Sequence, residues 1–115
     1  RIVEKFYGSI NIDATLVNLY GPTEATVAAS YHICSKTYPN VTMPIGKNFG
    51  GYQLIVLDEN LQLVPKGVEG ELFIGGPSVS QGYINNEELT KNTFITLDVS
   101  GKNQMFYKTG DIVKQ

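Results

Sequence analysis

The chain has 115 residues, 42% of them hydrophobic and 17% charged, and its 9 basic and 11 acidic side chains leave a net charge of -2. That composition suits one domain with a real core and excludes intrinsic disorder, while the lack of any basic run argues against electrostatic binding to nucleic acid or a membrane surface. The single cysteine, Cys34, has no partner for an internal disulfide, which fits a reducing, cytoplasmic setting, and the longest apolar run is far too short to span a bilayer.

Arg1 to Tyr7 has the spacing of an amphipathic helix already under way, with no capping residue ahead of it. Ala14 to Tyr20 is rich in β-formers and reads as a strand stopped by the breaker pair Gly21-Pro22. Val27 to Cys34 reads as a second, mostly buried strand, and Ser35 to Met43 as a polar, turn-rich connection. Tyr52 to Asp58 is a further strand, followed by the turn residues Asp58-Glu59-Asn60 and the short strand Leu61 to Val64. Pro65-Lys66-Gly67 turns the chain, and Gly70 to Ile74 is another strand, closed by Gly75-Gly76-Pro77. Asn86 to Phe94 predicts a helix: Asn86 caps it, Glu87 and Glu88 fill its first turn, and Leu89 and Phe94 supply the core side. After a turn at Ser100 to Asn103, Met105 to Thr109 is a last strand leading into Gly110-Asp111, and Ile112 to Gln115 again has strand character. There is no internal repeat.

These elements predict an α+β chain that is mostly β. An α/β remnant over residues 1–34 is followed by a β-rich, distorted-barrel-like unit over residues 35–115. Both ends fall inside elements, so a segment of a longer protein is expected.

Tyr20-Gly21-Pro22-Thr23-Glu24 is the stretch with the most chemistry. A tyrosine face stacks on a flat base, a glycine lets backbone come close, a threonine hydroxyl donates to a phosphate oxygen, and a glutamate holds a magnesium ion that bridges phosphates. The alternative is an ordinary tight turn with a buried tyrosine and a solvated glutamate. Thr109-Gly110-Asp111 reads as a second polar turn. Its aspartate is either a plain turn residue or an acceptor for both hydroxyls of a ribose. His32 lies inside an apolar strand and reads as a packed, hydrogen-bonded histidine, Cys34 as a small buried residue, and Gly75-Gly76 as a strand-ending turn.

Asn18 to Val27 (NLYGPTEATV), Gly70 to Ile95 (GELFIGGPSVSQGYINNEELTKNTFI) and Met105 to Asp111 (MFYKTGD) together resemble, in order and spacing, the core motifs of adenylate-forming enzymes. The nearest resemblance is to the amino-acid-activating adenylation domains of non-ribosomal peptide synthetases, and it extends over almost the whole chain. It implies a place in the large N-terminal domain of such an enzyme. It further implies ATP and magnesium as cofactors, an amino acid as substrate, and a peptidyl carrier domain, with its phosphopantetheine thiol, as partner. Residue by residue, Asn18 would meet the adenine edge and Tyr20 its face, with Gly21 allowing close approach. Thr23 would reach the α-phosphate, Glu24 would ligate magnesium, and Asp111 would take the ribose hydroxyls. Thr23 and Glu24 would be the catalytic pair. Leu19, Val27 and Ala28 would line an apolar substrate pocket, although plain packing explains them equally.

Two positions depart from the family pattern. Ser80 and Gln81 stand where an alanine and an arginine usually precede the Gly-Tyr of the middle motif, and Lys108 replaces a frequent arginine. Ser80 and Lys108 also occur in the related ligases that load D-alanine onto a carrier protein. That ligase and an acyl-CoA synthetase are therefore rival readings, and a non-catalytic β-rich interaction module is a third. The family's phosphate loop, the aspartate that recognises an ammonium group and the catalytic lysine have no counterpart in these residues, so the segment by itself is expected to be inactive.

Overall fold

The computed structural model describes residues 2–9, 13–37 and 42–115. Arg1, at the predicted start of the first helix, and residues 38–41 of the polar connection lie outside the described residues. The first helix, α1, is Ile2–Ser9. Its Tyr7 hydroxyl donates to the Cys34 carbonyl at 2.9 Å and accepts from the Leu16 N–H at 3.1 Å, which ties the helix to both flanks of the strands that follow.

Two antiparallel sheets make up most of the molecule. In the first, β1 (Val17–Tyr20) pairs with β2 (Ser30–Ile33), Tyr20 opposite Ser30, and β2 pairs with β3 (Lys47–Asn48). In the second, the order is β4 (Gln53–Leu57), β5 (Glu69–Gly75), β7 (Lys102–Lys114) and β6 (Phe94–Val99). The helix α2 (Glu87–Thr93) precedes β6. The fold is thus mostly β with two short helices, as the sequence predicts, and no helix among the described residues is long and apolar enough to cross a membrane.

Both faces of the four-stranded sheet are packed. The uninterrupted run Leu72-Phe73-Ile74 on β5 is the signature of a strand buried on two sides. Leu72 and Ile74 meet the wholly buried Ala25 and Ala29, with Tyr20, Tyr52, Leu54 and Val113 around them, so this face joins the two sheets. On the opposite face Phe73 packs with Leu57 and Phe106, flanked by Ile55, Ile95, Leu97 and Val99.

Several elements differ from their sequence-based expectation. β1 starts at Val17 rather than Ala14 because its partner ends at Ile33; beyond that pair only the Cys34 N–H reaches back, to the Leu16 carbonyl at 2.9 Å. Val27 to Ala29 is not strand: Thr26 and Val27 take left-handed φ values of 53° and 71° and turn the chain toward β2. Leu61 to Val64 contributes only an isolated bridge, Leu57 to Leu63. Asn86 caps α2 as expected, its side chain accepting from the Leu89 N–H at 3.1 Å, but Phe94 opens β6 instead of closing the helix. β3 and β6 are absent from the sequence reading. The last strand extends well past Thr109 in both directions, so Thr109-Gly110-Asp111 is not a strand-ending turn.

Candidate functional site

The turn after β1 is anchored by its own backbone. The Ala25 N–H donates to the Pro22 carbonyl at 3.1 Å in a short 3-10 helix over Thr23–Ala25, and the Ala29 N–H donates to the Tyr20 carbonyl at 2.8 Å, closing the loop. A Cβ on Gly21 would lie 2.6 Å from the Ala29 nitrogen, so only glycine permits this closure. The Tyr52 hydroxyl donates to the Ala25 carbonyl at 2.8 Å and holds the turn against β4. The result is a rigid platform carrying Tyr20 at one end and Glu24 at the other.

Asp111 reaches Tyr20 through a bulge in β7. Lys108 lies opposite Phe73 and Ile112 opposite Glu71, so Thr109, Gly110 and Asp111 all face Leu72. The bulge is pinned at each residue: the Thr109 hydroxyl donates to the Leu72 carbonyl at 2.8 Å, the Gly110 N–H to Glu71 Oε1 at 3.0 Å, and the Asp111 N–H to the Thr109 hydroxyl oxygen at 3.0 Å. Gly110 has φ of +78°, a conformation that costs other residues energy. Asp111 is thereby lifted out of the ladder, and its Oδ2 accepts a hydrogen bond from the Tyr20 hydroxyl.

Glu24 faces a second tyrosine. Its Oε1 accepts from the Tyr83 hydroxyl at 2.6 Å, and its carbonyl accepts from the Ser80 N–H at 2.8 Å. That phenol donor holds the Glu24 carboxyl below its usual range. In the Tyr83 phenol the same contact, followed by burial, pushes the pKa up. In Tyr20 burial acts first and the Asp111 carboxylate second, again upward. Tyr107 is nearly buried beside both carboxylates, and burial followed by the charge of Glu24 raises its phenol too. Three tyrosines and two carboxylates from all three motifs therefore form one polar cluster above the inter-sheet core.

The other expected positions lie as follows. Asn18 shares the Tyr20 face of β1, where its amide donates to the Pro44 carbonyl at 2.9 Å. Thr23 is exposed beside Glu24. Leu19, 55% exposed, points to the opposite face of β1, and Val27, 76% exposed, projects from the left-handed turn with half-buried Ala28 next to it. His32 is half-buried on β2 opposite Asn18, and Cys34 is buried. Gln81 is exposed, whereas Lys108 lies 3.6 Å from Glu71, the carboxylate that braces the bulge. Tyr83 and Tyr107 were not among the expected site residues. The signal available was that each motif carries one tyrosine near an acid or a glycine, namely Tyr20, Tyr83 and Tyr107.

A profile of the AMP-binding enzyme family matches residues 1–84. Among known proteins the chain is 41% identical over 113 residues to tyrocidine synthase 3 of Brevibacillus parabrevis, a match covering 98% of this chain and 2% of the synthase. It is 43% identical over 102 residues to bacitracin synthase 2 of Bacillus licheniformis, over 88% of this chain and 4% of that synthase. The chain thus spans only a small part of the length of the relatives it matches. Its fold is similar to that of a four-domain non-ribosomal peptide synthetase solved with AMP and glycine bound: the TM-score is 0.83 at 38% identity, over 98% of this chain and 8% of that one. Matched through most of its length by the family profile, and sharing sequence and fold with these synthetases, this chain belongs to the AMP-binding enzymes and corresponds to part of the adenylation domain of a non-ribosomal peptide synthetase.

Proposed function

We propose that an adenylation domain carrying this segment activates an amino acid, forming an aminoacyl-adenylate and pyrophosphate from ATP, and then passes the aminoacyl group to the phosphopantetheine thiol of a carrier domain. The observation that carries this reading is the meeting of Tyr20 with Asp111, which brings a ring able to stack on a base next to a carboxylate able to accept ribose hydroxyls. In that frame Asn18 meets the adenine edge, Thr23 the α-phosphate and Asp111 the ribose hydroxyls, while Leu19, Val27 and Ala28 offer an apolar wall to the substrate side chain.

Glu24 suits magnesium in one mode. Among the described residues no three His, Cys, Asp or Glu side chains gather as a ligand set. A single carboxylate plus substrate phosphates is the usual way proteins hold this ion. Bound there, magnesium would neutralise charge on the phosphate oxygens; the chain's own residues position base, ribose and phosphate. In this reading residues 1–34 close an α/β subdomain and residues 35–115 form the β-rich one, with the short β3 crossing that division to pair with β2.

Amino-acid-dependent ATP–pyrophosphate exchange by an intact adenylation domain with this segment tests the proposal. Exchange that collapses in Asp111→Ala supports it; exchange that is indifferent to Asp111→Ala and to Tyr20→Ala overturns it in favour of a scaffold role.

A further inference from the structure

The segment from Ser80 to Phe94 folds back over the turn that carries Glu24. Its backbone is fixed at both ends. The Ser80 N–H donates to the Glu24 carbonyl at 2.8 Å, and the Tyr83 N–H donates to the Thr90 hydroxyl oxygen at 2.9 Å. That hydroxyl itself donates to the Asn86 carbonyl at 2.8 Å, so Tyr83 is clamped to the first turn of α2. The Tyr83 ring stands in an aromatic row: its centroid is 5.5 Å from that of Phe94 in an edge-on contact, and Phe94 is 5.4 Å from Tyr107. Phe94 and Tyr107 are 7% and 8% exposed, which makes them a firm support. With backbone and ring both held, the phenol oxygen has one place to be, 2.6 Å from Glu24 Oε1. A half-exposed glutamate on a three-residue helical turn has many rotamers open to it without such a partner.

We propose that Tyr83 is a positioning residue for Glu24, its hydroxyl fixing the rotamer in which the carboxylate presents an oxygen to a divalent cation. This rests on the reading of Glu24 as the magnesium ligand. Packing and positioning are separable here. The ring's packing comes from Phe94 and survives in a phenylalanine, whereas the hydroxyl contributes its bond to Glu24. Groups that orient a metal-binding carboxylate typically change metal affinity by about ten- to a hundredfold when removed.

The test is ATP–pyrophosphate exchange by the intact adenylation domain over a magnesium series, with the magnesium dependence of ATP binding read by calorimetry alongside it, for the unaltered protein, Tyr83→Phe, Glu24→Gln and the double variant. In Tyr83→Phe the magnesium concentration for half-maximal exchange is expected to rise about tenfold, with the KM for the amino acid unchanged. The double variant should be no worse than Glu24→Gln alone. Thr90→Val, which keeps the phenol but loosens its backbone clamp, should move the same half-point in the same direction by less, and it decides the question if Tyr83→Phe does not fold. An unmoved half-point in Tyr83→Phe and Thr90→Val, with exchange lost in Glu24→Gln, overturns the positioning role and leaves Glu24 as the ligand. Exchange that survives Glu24→Gln with its magnesium dependence intact overturns the ligand reading, and the positioning role with it.

Discussion

The Tyr20 hydroxyl donates to Asp111 Oδ2 across 91 positions of sequence, from the last residue of β1 to the bulge of β7. It bridges the three-stranded and four-stranded sheets, so the spacing between the Tyr20 ring and the Asp111 carboxylate depends on how the sheets pack on Ala25, Ala29, Leu72 and Ile74.

Removing either end of that bridge should weaken nucleotide binding unequally. Tyr20→Phe keeps the ring but leaves Asp111 unheld, which is expected to cost about 1 kcal/mol, roughly fivefold in the KM for ATP. Asp111→Ala also removes the acceptor, and the expected loss is about 1.5–3 kcal/mol, roughly ten- to a hundredfold. Steady-state exchange at varied ATP reads both, and equal effects would mean that Asp111 acts only through Tyr20.

Gly110→Val tests the bulge. A branched side chain at φ of +78° should cost about 1–2 kcal/mol in the left-handed region. It should also displace the Gly110 N–H from Glu71 and tilt Asp111 away from Tyr20. Lower thermal stability together with a raised KM for ATP is the expected pair of results; a stability loss alone would show that the bulge does not govern Asp111.

Phe73 is fully buried among Leu57 and Phe106, on the sheet face away from the polar cluster. Phe73→Ala should destabilise the intact domain by about 3–5 kcal/mol, read as a shift in denaturation midpoint. The KM for ATP of the remaining folded protein should be unchanged.

Glu24 and the phenols give opposite pH dependences. The Glu24 carboxyl lies below its ordinary value of 4.5, so its share of stability is fully present above that pH and disappears as pH falls through the lower folded-state value. The Tyr20, Tyr83 and Tyr107 phenols lie above their ordinary value of 10.0. Their share is fully present below pH 10.0 and is lost as pH rises toward the higher folded-state values. Tyrosinate absorbance against pH should show phenols titrating late, one fewer in Tyr83→Phe. A titration with no late phenol would count against the cluster.

Legibility in the sequence followed locality. β5 could be read because Leu72-Phe73-Ile74 is a compact apolar run closed by glycines, and α2 because Asn86, Glu87 and Glu88 announce a helix start. β6 could not: Phe94 follows directly on the helix begun at Asn86, with no breaker between them, and only the pairing with β7 makes it strand. Thr109-Gly110-Asp111 has turn composition, and the flanking pairs with β5 keep it inside a ladder. At the site, local composition left Tyr20 to Glu24 open between a ligand turn and a plain one, and the roles assigned there came from the family resemblance. The bond between Tyr83 and Glu24 joins residues 59 apart, a relation that no local pattern encodes.

The bulge also constrains how the chain tolerates insertions and deletions. From Lys108 to Ile112, β7 takes four steps while β5 takes two, and since both counts are even the inside–outside alternation is the same before and after the interruption. Tyr107 and Val113 therefore stay on the face of Leu72 and Ile74, and Phe106 on that of Phe73. Losing one residue between Thr109 and Asp111 would leave two residues facing Leu72, a smaller bulge that keeps Val113 opposite Gly70 but shifts the carboxylate away from Tyr20. Losing two would restore an ordinary ladder with the same residues inside and no carboxylate facing Tyr20. The sheet can thus dispense with the two extra residues, while the geometry that aims Asp111 cannot.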